Sequence, residues 1–197
     1  MSLPKHKYLL TYRYSEIIHD LTVIFIKRYV LGNLSILSNL KDSKPDYRTA
    51  DQMNQSARSG KQNIVEAVGF SRTSKKGEIR LLGVAESSLE ELIKDFEDFL
   101  RQRDLKIWPK DDPRITDFRQ IAYRLTNISN LSDLGDLIEK PKLPDNPEEA
   151  ANFLLTLCHL ATYLLSRQIN KAEETFIKEG GYSESLFRRR LKSKIHK

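Results

Sequence analysis

The chain has 197 residues, enough for one well-formed core, and its 39% hydrophobic and 30% charged residues are typical of a helical protein with charged outer faces. The single cysteine, Cys158, excludes an internal disulfide and is compatible with a reducing compartment. The formal net charge of +6 favours a polyanionic partner, self-association of oppositely charged patches, or both.

The N-terminal segment lacks the pattern of a secretory signal. Met1–Lys7 is basic, but Arg13 and Glu16 interrupt the apolar stretch that a signal requires. The longest apolar run, residues 153–165, is too short to span a bilayer. We therefore expect a cytoplasmic protein with no membrane partner.

Apolar residues at helical spacing predict three helices in the first half of the chain. The first covers about Tyr14–Val30, and its pattern allows a continuation past Gly32 through Leu34, Ile36 and Leu37. Pro45 marks a break. The second helix is predicted from about Tyr47 to Gly69, and the third from about Lys75 to Arg103.

The second and third helices carry the strongest packing signal. Small residues on the second helix, Ala57, Ser59 and Gly60, would let a neighbouring helix approach closely. Apolar residues on the third recur at alternating spacings of three and four, which predicts the seam of a helical bundle. They are Leu82, Ala85, Leu89, Leu92, Phe96 and Phe99.

Two further helices are predicted after a loop that contains Trp108 and Pro113. A short amphipathic helix covers about residues 115–128. Asn146 is the predicted N-cap and Pro147 the first residue of a long helix that ends near Lys178, before Gly180-Gly181. Its residues 153–165 are apolar nearly all round, so this helix is either central or covered by another subunit. No strand pattern stands out, so we predict an all-α fold.

Catalytic patterns are weak. A di-iron site in a helical bundle needs two Glu-x-x-His pairs, and the chain offers only Glu16/His19. An exposed or locally hydrogen-bonded His19 is the simpler interpretation, and Cys158 has the setting of a small core residue. Phosphate loops, nucleophile elbows and Cys/His clusters are not found in the sequence. We therefore expect no enzyme activity, no cofactor and no metal.

Charge is segregated along the chain. Residues 86–98 are strongly acidic, whereas the segment 58–80 and the C-terminal tail are basic. Lysine and arginine bind phosphates with little geometric demand, and the start of the third helix adds backbone N–H groups. The predicted nucleic-acid-binding residues are Arg58, Lys61, Arg72, Lys75, Lys76, Arg80, Arg188, Arg189, Arg190 and Lys192.

Other interpretations of these basic segments stay open. The basic residues of the loop can simply keep it solvated. The tail from Leu186 to Lys192 fits a helix ordered by nucleic acid, a membrane-surface helix or a frayed end, and its few apolar residues make the membrane version the weakest.

The second and third helices also resemble a known family. Gln52-Met53, Ala57, Ser59, Asn63-Ile64 and Glu66, followed by a Gly and a Ser-Lys-Lys loop, are similar to the second-helix pattern of the "four helix bundle protein" family, and residues 85–92 (AESSLEEL) are similar to its third-helix signature. The family includes proteins encoded by intervening sequences of ribosomal RNA genes and accessory variability determinants of diversity-generating retroelements. Gly180-Gly181-Tyr182 and the basic residues after it resemble the C-terminal suffix of a longer subgroup.

The resemblance implies an antiparallel up-down four-helix bundle that assembles as a homopentamer, binds nucleic acid and, in the retroelements, a reverse transcriptase. We accordingly expect a helical domain over residues 1–180, with an additional short helix, and a basic suffix over 181–197. The expected function is that of a non-catalytic accessory protein that binds RNA or DNA as a homo-oligomer. The alternative is a structural or adaptor oligomer whose charged faces drive only protein–protein assembly.

Overall fold

The computed structural model describes residues 3–32 and 45–195. These residues form six α-helices and no β-strand, and the predicted all-α fold is thereby confirmed; the only β-type pairing among them is an isolated bridge between Leu131 and Leu137. None of the described helices is long and apolar enough to cross a membrane. The helices are α1 (Leu10–Phe25), α2 (Tyr47–Phe70), α3 (Lys75–Arg101), α4 (Pro113–Thr126), α5 (Pro147–Glu179) and α6 (Tyr182–Ile195).

Helix α1 begins four residues before the predicted Tyr14, at Leu10. Its first turn is fixed by Arg13, a buried side chain that donates to the carbonyl oxygens of Thr126 (2.6 Å) and Lys7 (2.8 Å). Hydrophobic periodicity could not reveal this start, because the residue that anchors it is charged. After Phe25 the chain continues as a π-helical turn, and the predicted extension through Leu34, Ile36 and Leu37 lies outside the described residues.

Helices α2 and α3 lie close to their predicted bounds. Asp46 caps α2 by accepting from the backbone N–H of Thr49 (3.0 Å), and Ser74 caps α3 by accepting from that of Gly77 (3.1 Å). The seam predicted on α3 is confirmed, because all six of its members are buried. They are Leu82, Ala85, Leu89, Leu92, Phe96 and Phe99.

Helix α5 also confirms its predicted start. The side chain of Asn146 accepts from the backbone N–H groups of Glu148 (2.9 Å) and Glu149 (3.1 Å), and Pro147 is the first helical residue. The helix ends at Glu179, where Gly180 adopts a φ of 76° that favours glycine. Helix α6 follows after Gly181.

Four helices enclose the main core. Helix α1 packs against α2 and α5, and α3 packs against the same two helices, so that α1, α2, α3 and α5 form a closed ring of contacts. The ring of Phe25 on α1 lies edge-on to Phe96 (5.1 Å between centroids) and Phe99 (4.7 Å) on α3. These aromatic contacts connect α1 and α3, which lie on opposite sides of the four-helix arrangement, through the centre of the core.

Helix α4 covers the second face of α5. Its Phe118 lies 4.9 Å from Phe153 and 5.7 Å from Trp108, measured between ring centroids. Cys158 is fully buried within α5, and burial raises the pKa of its thiol, as expected for a core residue. Most of the apolar stretch of α5 is therefore covered within one chain, while Tyr163 stays 60% exposed and Leu160 half-buried.

Candidate nucleic-acid interface

The basic loop between α2 and α3 is short and internally hydrogen-bonded. The backbone N–H of Ser71 donates to the carbonyl of Ala67 (3.0 Å), and that of Ser74 donates to the carbonyl of Phe70 (2.8 Å). With Ser74 also serving as the N-cap of α3, the turn has little freedom. Its exposed Arg72 is therefore presented from a fixed backbone.

The register of the α2–α3 pair is set by small residues. The hydroxyl of Ser88 donates to that of Ser59 (3.0 Å) across the helix pair. At Gly60, an added Cβ would lie 2.8 Å from Cδ2 of the buried Leu89, so only glycine permits this close approach. The small residues noted in the sequence thus bring the two helices together.

Four predicted residues lie together at the start of α3. We call Arg72, Lys75, Lys76 and Arg80 the basic end. Arg72, Lys76 and Arg80 are exposed, whereas Lys75 is less exposed and pairs with Glu78 (2.9 Å between Nζ and Oε2). Three cations are thereby open to a ligand, and the fourth already has a partner. Sequence reasoning did not single out Glu78, although its i,i+3 spacing from Lys75 was a visible signal.

Arg58 and Lys61 do not join the basic end. They precede Arg72 by 14 and 11 residues, which along a helix corresponds to about 16–21 Å. That separation exceeds the distance of about 8 Å over which charges act in physiological salt. Lys61 is also half-buried, with its Nζ 3.0 Å from Nδ1 of His19 on α1.

The predicted tail residues all lie on α6. Arg188, Arg189, Arg190 and Lys192 are exposed, and so are the apolar side chains of Leu186, Phe187 and Leu191. In the structure the segment of residues 186–192 is part of the helix α6. Helix α6 thus presents both cations and apolar side chains to solvent.

The start of α6 lies at the same end of the molecule as the basic end. Just after α3, the backbone N–H of Lys106 donates to Glu148 (3.1 Å) and that of Trp108 donates to Asn152 (2.8 Å), so the end of α3 lies beside the start of α5. From there α3 runs back from Arg101 to Lys75 and α5 runs on from Glu148 to Glu179, about 39 and 46 Å.

The C-terminal half of α3 has the opposite charge. We call Glu86, Glu90, Glu91, Asp95, Glu97 and Asp98 the acidic strip. Oδ1 of Asp95 accepts from Gln52 (3.1 Å), but its Oδ2 is buried without a hydrogen-bond partner among the described residues. Burial, reinforced by Asp98 and Glu91, raises the pKa of Asp95 to about 6.

The Glu16/His19 pair is engaged by neighbouring side chains. Glu16 accepts from Lys7 (2.7 Å) and from the hydroxyl of Tyr12 (3.0 Å). His19 contacts Lys61 through Nδ1 and lies 3.7 Å from Asp20. This geometry matches the interpretation of His19 as a locally hydrogen-bonded side chain.

Comparisons of the chain with protein-family models, with curated proteins and with solved structures find no match. The resemblance to the four helix bundle protein family stays an expectation based on the residues quoted for it.

Proposed function

We propose that this protein is a non-catalytic nucleic-acid-binding accessory protein of the cytoplasm. The observation that supports the proposal is that two groups of exposed cations, the basic end and those of α6, belong to helices that start at the same end of the molecule. The exposed cations are Arg72, Lys76, Arg80, Arg188, Arg189, Arg190 and Lys192. Such a surface suits a phosphate backbone, because each phosphate contact releases counterions whatever the base sequence.

We further propose that α1, α2, α3 and α5 form an antiparallel up-down bundle, with α4 as the additional helix. Contacts between α1 and α5 support the antiparallel arrangement. Thr11 near the start of α1 donates to Gln168 (2.8 Å), whereas Tyr29, just after α1, donates to the carbonyl of Asp145 before α5 (2.8 Å). An antiparallel arrangement of α2 and α3 is supported by the short loop that joins them.

The binding assay follows directly from this charge. We expect fluorescence anisotropy to detect binding of the full chain to a structured RNA and to a DNA duplex. For roughly 6–10 phosphate contacts, the affinity should fall by about a thousandfold or more between 50 and 200 mM salt. Absence of binding to both probes at the lower salt concentration would contradict the proposal.

Deleting the residues after Gly181 separates the two contributions. A strong loss of affinity would assign binding to α6, whereas a small change would assign it to the basic end. The double variant Lys75→Gln/Lys76→Gln should weaken binding to all sequences similarly and flatten the salt dependence.

Homo-oligomerisation is part of the proposal. The face of α5 that suggested a second subunit is mostly covered by α4, so the support now comes from the exposed apolar residues of α6 and from the segregated charges. Light scattering should give a mass several times 22.9 kDa. A monomer at micromolar concentration would contradict the oligomer and the pentamer implied by the resemblance. A reverse transcriptase partner rests on the resemblance alone.

A structural or adaptor oligomer is the second candidate. Its supporting observation is the opposition of the acidic strip and the basic end on one helix, which allows the two surfaces to pair between copies. In that case the mass should fall as salt is raised, and neither nucleic-acid probe should bind.

A further inference from the structure

A cleft of about 680 Å³ lies on the outer side of α5, away from the basic end. It is bounded by α4, by α5 and by the loop of residues 102–112. Its volume falls within the range of about 300–1,000 Å³ that is usual for small-molecule sites.

The walls of the cleft are mostly apolar. Ile107 (52% exposed), the half-buried Leu160 and Tyr163 at the rim (60% exposed) present apolar surface to it, whereas Trp108, Ile115 and Leu155 are buried behind that surface. These groups form a surface that an aliphatic or aromatic body would desolvate on binding.

Hydrogen bonds hold the cleft open in one arrangement. The side chain of Asn152 accepts from the backbone N–H of Trp108 (2.8 Å) and donates to the carbonyl of Lys106 (2.9 Å). The indole N–H of Trp108 donates to Glu148 (2.7 Å). The loop is therefore fastened to α5, and a ligand would not need to order it.

The charge of the cleft is positive. Lys110 and Arg119 line it, and the guanidinium of Arg119 donates to the carbonyl of Lys110 (3.3 Å). No aspartate or glutamate is among the described residues that line it. Within the described part of the chain neither cation forms a salt bridge. Both are thus available to an anionic group.

We propose that this cleft binds a small organic anion whose apolar body packs against Ile107, Leu160 and Tyr163 and whose carboxylate, sulfonate or phosphate lies between Lys110 and Arg119. Charge complementarity selects this occupant. The exposed helix α6, an apolar alternative from a second copy, contains five basic residues against one acidic residue and would be repelled by Lys110 and Arg119.

Two matched dyes test the proposal on the full chain. 8-Anilinonaphthalene-1-sulfonate has an aromatic body and an anion, and N-phenyl-1-naphthylamine has a similar body without the anion. We expect saturable binding of the sulfonate at one site per chain, with quenching of Trp108, the sole tryptophan. The variant Lys110→Gln/Arg119→Gln should weaken the sulfonate about fivefold to tenfold and leave the neutral dye unchanged.

Controls separate the cleft from general charge and from misfolding. Lys140→Gln/Lys142→Gln removes the same charge from exposed residues outside the cleft and should not change the affinity of either dye. Tyr163→Ser, at an exposed rim position, should weaken both dyes while leaving the melting temperature unchanged, and it tests the apolar wall if the double variant does not fold.

Three results would overturn the proposal. The first is that the sulfonate shows no saturable binding. The second is that both dyes bind equally and Lys110→Gln/Arg119→Gln changes neither affinity. The third is that a single-stranded oligonucleotide displaces the sulfonate whereas dodecanoate does not. The last result would assign the cleft to a nucleic-acid strand instead.

Discussion

The two ends of α3 differ in how their charges relate to the fold. At the basic end, Arg72, Lys76 and Arg80 are exposed and solvated, so their charges contribute little to the free energy of folding. In the acidic strip, Asp95 is half-buried with one oxygen lacking a partner among the described residues, and its pKa is raised to about 6. One end therefore holds charge available to an outside partner, and the other holds charge that acts on the stability of the protein itself.

The largest expected effect comes from reversing charge at the basic end. Lys76→Glu/Arg80→Glu should weaken nucleic-acid binding about a hundredfold or more, because two phosphate contacts are lost and repulsion is added. Anisotropy titration at fixed salt measures it. The matched variant Glu90→Gln/Glu91→Gln in the acidic strip should bind at least as well as the wild type. Equal weakening in both variants would show that the two ends do not differ in this way.

The second effect concerns the close contact of α2 with the middle of α3, between its two charged ends. Gly60→Leu should destabilise the protein by about 1–3 kcal/mol, because the new side chain overlaps Leu89. Urea denaturation measures the change. Gly83→Ala is the control, since an added Cβ there meets nothing within 4 Å, and it should stabilise by about 0.5–1 kcal/mol. A Gly60→Leu protein as stable as the wild type would refute the close approach of α2 and α3.

The third effect is a pH dependence from Asp95. Its pKa in the folded protein is about 6, above the ordinary 3.8, so the folded state binds the proton more tightly and wild-type stability falls as pH rises between these values. Asp95→Asn should therefore stabilise the protein near neutral pH and lose this advantage near pH 3, below both pKa values, where Asp95 is protonated in both states. Solvent screening of the half-buried group limits the gain to about 1 kcal/mol.

Urea midpoints across this pH range measure the difference between Asp95→Asn and the wild type. Glu90→Gln, at an exposed position of the same helix, is the control for removing one acidic charge. A constant difference for Asp95→Asn would contradict the titration of Asp95.

The smallest expected effect is at Glu78. Glu78→Gln removes the acidic partner of Lys75 and frees that cation for a phosphate. We expect nucleic-acid affinity to rise about twofold to fivefold, with stability lowered by no more than about 0.5 kcal/mol. Unchanged affinity would show that Lys75 lies outside the contact surface.

Local signals in the sequence predicted most of the helical framework. The seam on α3 and the Asn146–Pro147 start of α5 depend on spacing and capping within one segment, so they could be recognised without a structure. The start of α1 could not, because Arg13 is held by the carbonyl of Thr126, more than a hundred residues away. The covering of α5 by α4 depends on tertiary packing in the same way.

The candidate surfaces were predicted less completely. Composition identified the basic residues but could not tell which of them are free to bind a ligand. Only the structure shows that Lys61 contacts His19 and that Lys75 forms a salt bridge with Glu78. Binding by these residues stays a prediction. The cleft at Trp108 gave no sequence signal, because Lys110, Arg119 and Tyr163 come together from a loop and two helices.

The complete burial of Cys158 has a practical consequence for kinetics. The chain holds one cysteine, and its thiol is inaccessible while α5 is packed on its neighbours. A thiol reagent can therefore react only when this part of the core opens. Its rate of incorporation under native conditions reports the equilibrium population of the opened state when reclosing is faster than labelling, and the opening rate when labelling is faster. Mass spectrometry of the chain labelled at increasing reagent concentrations would distinguish these two regimes at a single known position, with no engineered probe.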